Sequence, residues 1–167
     1  VWEGGLHFYG AVLFGGLAAY AYFRATRLDF LLLLDSVAPA LLIGQAVVRP
    51  ANFINQELYG PPTELPWGIP IDAAHRIPPW TDLARFPVET TRFHPAFAYE
   101  MLWNFAAAAV LLWMARRLEE KLKPGALFAG WLVLEGVGRV WLEWFRPDQP
   151  KLAGTGIRYS RIFAAVM

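Results

Sequence analysis

Four apolar runs constrain this chain more than any other feature in it: residues 6–23, 30–48, 95–114 and 126–145. Each approaches the ~20 residues that a helix needs to cross the hydrocarbon core of a bilayer. One such run would also suit the buried core helix of a soluble protein. Four of them in 167 residues, with 56% hydrophobic and 17% charged residues, leave too few polar faces to solvate a soluble fold. A further apolar stretch begins near Ile157 and reaches Met167. The expected fold is therefore all-α: a polytopic transmembrane helical bundle with four full spans and part of a fifth. The chain opens on Val1 and closes inside an apolar run. A single membrane domain over residues 1–167, incomplete at both ends, is the matching expectation.

Loop charge orients these spans. Arg24 and Arg27 fall between the first two runs, and Arg116, Arg117, Lys121 and Lys123 between the third and fourth. Short loops rich in Lys and Arg remain cytoplasmic, and alternating spans put both loops on one side. The opposite side then receives a long extracytoplasmic loop, residues 49–94, studded with Pro61, Pro62, Pro66, Pro70, Pro78, Pro79 and Pro87. Proline denies it long helices. Trp67, Ile69, Ile71 and Trp80 argue against plain disorder. The net charge of +1 offers no basic field for nucleic acid. The absence of cysteine removes disulfides, thiolate metal sites and a cysteine nucleophile from this chain.

Polar groups within membrane helices are costly and point to function. Here they gather at the outer ends of the runs. His7 and Tyr9 open the first. Arg49, Asn52, Asn55 and Glu57 follow the second. His94, Tyr99 and Glu100 open the third. Glu135, Arg139, Glu143 and Arg146 approach the end of the fourth. Arginine presents a fork that fits phosphate oxygens, and asparagine both donates and accepts. The segment from Arg49 to Gly60 therefore suits a polar headgroup, although a polar helix terminus would look similar. Glu135, Arg139 and Glu143 share one helix face at four-residue spacing. That pattern fits a structural ion pair as well as a site. His94 precedes Pro95 and is expected to cap the third helix; its imidazole is also a possible proton acceptor. Asp35, in a helix containing Pro39, is expected to satisfy backbone groups freed by that proline.

These residues resemble a known family. Trp2-Glu3-Gly4-Gly5-Leu6-His7-Phe8-Tyr9-Gly10 is similar to the glycine-rich opening of a helix in prolipoprotein diacylglyceryl transferases. Residues 49–60 resemble the family's Arg-x-x-Asn-Phe-x-Asn-x-Glu-x-x-Gly signature. His94-Pro95-x-x-x-Tyr99-Glu100 and Arg139-x-x-x-Glu143-x-x-Arg146 resemble two further motifs, in the same order. Tyr9 stands where the family often has His, and Glu135 where Tyr is usual.

The resemblance implies a transferase of the bacterial plasma membrane whose site faces the outer leaflet. It would move a diacylglyceryl group from phosphatidylglycerol to the lipobox cysteine of a preprolipoprotein signal peptide, with no metal or cofactor. Arg49 and Arg139 would meet the phosphate, with Glu57 and Glu143 compensating them in the empty protein and Glu143 orienting Arg139. Asn52, Asn55, Glu57 and Gly60 would shape the headgroup pocket. Tyr99, Glu143 and Arg146 would join the substrate contacts, and His94 or Tyr9 would take the thiol proton. The alternative is a diverged homologue that keeps the lipid pocket as a structural subunit of a larger membrane complex. A small-solute transporter fits less well, because its polar groups would lie at mid-depth.

Overall fold

The computed structural model describes residues 8–145. Their long elements are four helices: α1 (Phe8–Thr26), α2 (Phe30–Ile54), α3 (Ala96–Arg117) and α4 (Ala126–Leu142). Short 3-10 turns occupy Ala73–His75, Glu119–Lys121 and Glu143–Phe145. Isolated antiparallel bridges join Phe93 to Pro62 and to Ile69, and no strand forms among the described residues. Two helices, α2 and α3, are long and apolar enough to cross a membrane. The expected fifth span falls outside the described residues.

The core lies where α2, α3 and α4 meet. Ala38 and Leu42 of α2 are buried against Ala107, Ala108 and Leu111 of α3, with Phe128, Trp131 and Leu134 of α4 closing over them. Alanine at the crossing lets helix backbones approach closely, which is how helices associate when lipid supplies no hydrophobic drive. The outward surfaces remain apolar: Phe14 is 71%, Leu102 62% and Val133 61% exposed. Such surfaces are costly in water and suited to lipid.

Two boundaries differ from expectation. The second helix continues past Val48 and Arg49 to Ile54, so the loop opens at residue 55 and not at 49. Pro50 removes only one donor from the ladder, and the turn after it re-forms, with Asn55 N bonded to Ala51 O at 2.9 Å. The helix stops where Gln56 (φ 52°) and Leu58 (φ 55°) adopt left-handed backbone. The fourth helix ends at Leu142 and tightens into the turn Glu143–Phe145.

Asp35 also behaves differently from expectation. Its carboxylate accepts from Gly125 N at 2.7 Å and Phe128 N at 2.9 Å, so it caps α4 from a neighbouring helix. Proline frees a carbonyl, which a carboxylate cannot satisfy; the helix start offers amides, which it can. Asp35→Ala should destabilise the complete protein by about 2 kcal/mol, read as thermal unfolding in nanodiscs. Asp35→Asn, retaining one acceptor, should fall between. Equal stability of Asp35→Ala and wild type would contradict the cap.

The segment between α2 and α3 folds into a small cap with its own core of Tyr59, Ile71, Trp80 and Phe93. The expected ordering by Ile71 and Trp80 is thus observed. Arg76 is buried in it. Its Nε donates to Ile71 O at 2.9 Å, its Nη1 donates to Phe86 O, and its guanidinium lies 5.1 Å from the Phe93 ring centre. Tyr59 Oη donates to His75 O at 3.0 Å and accepts from Ile77 N at 2.7 Å. These bonds satisfy a proline-rich backbone that cannot form ladders.

Candidate active site

The C-terminal end of α2 starts a continuous polar network. Arg49 projects from the helix toward α3, where its Nη2 donates to Glu100 Oε1 and forms an ion pair. Its Nη1 lies 3.4 Å from Asn52 Oδ1, one turn on. Asn52 then donates through Nδ2 to Glu57 Oε1 at 2.8 Å, and Asn55 Nδ2 donates to the same oxygen at 3.1 Å. Glu100, Arg49, Asn52, Glu57 and Asn55 therefore form one chain of bonds. Continuing the helix through Ile54 puts Arg49 and Asn52 on one face, three residues apart.

The Asn55 bond first, and the Asn52 bond second, hold the Glu57 carboxyl below its ordinary pKa. Glu57 is therefore ionised at neutral pH, a fixed anion that aligns two amides. Glu100 is buried, and with Arg49 it brings opposite charges together at the α2–α3 junction. Sequence reasoning had assigned compensation of Arg49 to Glu57. The structure gives that position to Glu100, because α3 packs directly against α2 while Glu57 stays on the exposed side.

A second cluster forms at the start of α3. Pro95, not His94, is the N-cap residue, and no side chain caps this helix. The His94 ring instead turns to Tyr99, with Nδ1 3.0 Å from Tyr99 Oη. Trp67 Nε1 donates to that same hydroxyl at 2.8 Å. Burial lowers the His94 pKa from its ordinary value, so the ring is neutral at neutral pH. Phe145 stacks edge-on against both rings, 5.2 Å from His94 and 5.0 Å from Tyr99. Gly60 makes this junction possible: a Cβ there would lie 2.8 Å from Phe145 O and 2.9 Å from His94 Cβ. Its amide donates to His94 O at 2.8 Å.

On α4, Arg139 donates from Nε to Glu135 Oε1 at 3.2 Å, and its side chain is 42% exposed. The expected orienting of Arg139 by Glu143 is replaced by this pair one turn back; Glu143 is buried nearby in the turn that ends α4. No bond joins Arg49 to Arg139 among the described residues. Tyr9 lies on the first turn of α1. Its side chain, His7 and Arg146 fall outside what is described. Glu100 was visible in the sequence as the end of the His94 motif, yet it was not assigned to the site. Trp67 carried no signal beyond being a tryptophan in a loop.

A model of the prolipoprotein diacylglyceryl transferase family matches residues 1–167. The chain belongs to that family. It is 45% identical over 152 residues to a phosphatidylglycerol–prolipoprotein diacylglyceryl transferase of Bifidobacterium adolescentis, covering 89% of this chain and 45% of the relative. Identity to the protein of the same name from Cutibacterium acnes is 41% over 148 residues, 89% of this chain and 47% of the relative. With that from Chloroflexus aggregans it is 38% over 160 residues, 92% and 52%. The chain thus spans about half the length of the curated relatives it matches.

Proposed function

We propose that this chain carries the transfer site of a phosphatidylglycerol–prolipoprotein diacylglyceryl transferase, in a multi-pass bacterial plasma-membrane protein. All four helices would span, with the Arg24–Arg27 and Arg116–Lys123 loops cytoplasmic. The polar network and the cap would then face the outer leaflet. The observation that carries the reading is the network through Arg49. It presents a guanidinium braced by Glu100 and Asn52 at the C-terminal end of a helix long and apolar enough to cross a membrane.

Such a guanidinium suits the phosphate of an anionic lipid. In the reaction, the lipobox cysteine thiolate attacks the glyceryl carbon that carries the phosphate ester. The carbon–sulfur thioether forms, the carbon–oxygen bond breaks, and glycerol phosphate leaves with the bonding pair. Charge grows on phosphate oxygens, where fixed cations stabilise the transition state. Arg49 and Arg139 are assigned to that phosphate, and Asn52, Asn55 and Gly60 to the walls around the headgroup. Tyr99, Glu143 and Arg146 belong to the substrate contacts. Tyr9 and His94 are the candidates for handling the thiol proton.

One observation favours the structural-subunit reading: Glu135 occupies Arg139 within α4. The deciding experiment places the complete protein in vesicles containing phosphatidylglycerol, with a lipobox peptide. The expected result is a thioether-linked diacylglyceryl peptide and an equal amount of glycerol phosphate. Binding of phosphatidylglycerol without either product would transfer the conclusion to the structural subunit.

A further inference from the structure

Trp67 is 56% exposed on the cap, yet its indole is held in place. Ile69 and Phe93 exchange both backbone hydrogen bonds, at 3.0 and 2.9 Å, which ties the strand of chain carrying Trp67 to the residue before His94. Gly68 lets the two segments close up, since a Cβ there would lie 2.8 Å from Arg92 Cβ. The result is a line of three groups: Trp67 Nε1, Tyr99 Oη at 2.8 Å and His94 Nδ1 at a further 3.0 Å.

Counting protons along this line fixes its polarity. An indole N–H only donates, so Tyr99 accepts from Trp67. Tyr99 has one proton, and its one remaining hydrogen-bond partner among the described residues is His94 Nδ1. The half-buried imidazole, its pKa lowered by desolvation, is neutral near pH 7 and carries a single N–H. Were that hydrogen on Nδ1, the Tyr99 oxygen would accept twice and its own proton would lack an acceptor among the described residues. With the Tyr99 O–H donated to Nδ1, all three groups are satisfied.

We propose that Trp67 is a positioning residue which, through Tyr99, fixes His94 as its Nε2–H tautomer, so that His94 offers bound substrate a hydrogen-bond donor and not a proton-accepting nitrogen. This rests on the transfer-site reading above. No described residue accepts from Nε2, which leaves that N–H for an anionic oxygen of the lipid phosphate. While the line is intact, His94 has no free basic nitrogen for the thiol proton, which leaves Tyr9 as the remaining one of the two candidates named above.

The test uses the complete protein in nanodiscs with ring-15N histidine, His94 being assigned by loss of signal in His94→Gln. At neutral pH, Nδ1 should resonate in the unprotonated range and Nε2 in the protonated range. Trp67→Phe keeps a ring but loses the N–H, so Tyr99 becomes free to accept from Nδ1. Both tautomers should then be populated and the His94 titration midpoint should rise. Tyr99→Phe should release the tautomer in the same way. Trp67→Phe should also lower kcat about fivefold with KM unchanged. Protonated Nδ1 in the wild type, or an unchanged tautomer in both variants, would overturn the proposal. A tautomer that responds as expected in a protein without transfer activity would uphold it and refute the transferase reading.

Discussion

Arg49→Lys should lower diacylglyceryl transfer by roughly ten- to a hundredfold while the protein remains folded. Lysine keeps the charge and loses the fork. Arg49 uses one terminal nitrogen on Glu100 and sets the other beside Asn52. A single ammonium on a flexible stem cannot hold both positions and meet a phosphate as well. The loss should appear mainly in kcat if the bonds strengthen as charge develops on the leaving phosphate. A rise in KM alone would instead mean that Arg49 binds lipid equally in the ground and transition states. Undiminished transfer by Arg49→Lys would remove the planar fork from the mechanism.

Glu100→Ala should be the most destabilising change at the site, by about 3 kcal/mol. Its carboxylate is buried, and the Arg49 side chain it faces is only 15% exposed. Removing the anion breaks the ion pair that joins this guanidinium to α3 at the α2–α3 junction. The estimate takes the low end for a broken buried pair because Arg49 retains some access to solvent and a contact with Asn52. Glu100→Gln preserves an acceptor oxygen and should lose less. Denaturation of the complete protein in bicelles reads both. A Glu100→Ala protein as stable as wild type would mean that the pair contributes nothing to joining these helices.

The helices themselves were legible because their signal is long and repetitive. Runs of apolar residues bounded by charge located all of α4 and most of α1, α2 and α3, which continue past the expected ends, and the site motifs fell at the ends of those runs. What escaped was decided by short-range chemistry that composition does not encode. The apolar run ends at Val48, yet α2 continues through Pro50, carrying Arg49 and Asn52 onto a helix face. His94 before Pro95 reads as a cap, yet its ring is drawn to Tyr99. The partner of Arg49 was misassigned, whereas on α4 the spacing left two candidates for Arg139. Sequence proximity favoured Glu57 for Arg49, whereas helix packing supplied Glu100; Glu135 and Glu143 both stand four residues from Arg139, and the fold selects Glu135. Trp67 reaches Tyr99 across 32 residues of irregular chain, and only the folded cap reveals that meeting.

The central claim is that Arg49 and Arg139, on separate helices, act on one lipid phosphate. The most direct measurement is a double-mutant cycle in the complete protein: transfer of labelled diacylglyceryl from phosphatidylglycerol to a lipobox peptide by wild type, Arg49→Lys, Arg139→Lys and the pair. A shared phosphate predicts that each single change is costly and that the double costs clearly less than the sum. Full activity in both single variants, or strictly additive losses in the double, would contradict it.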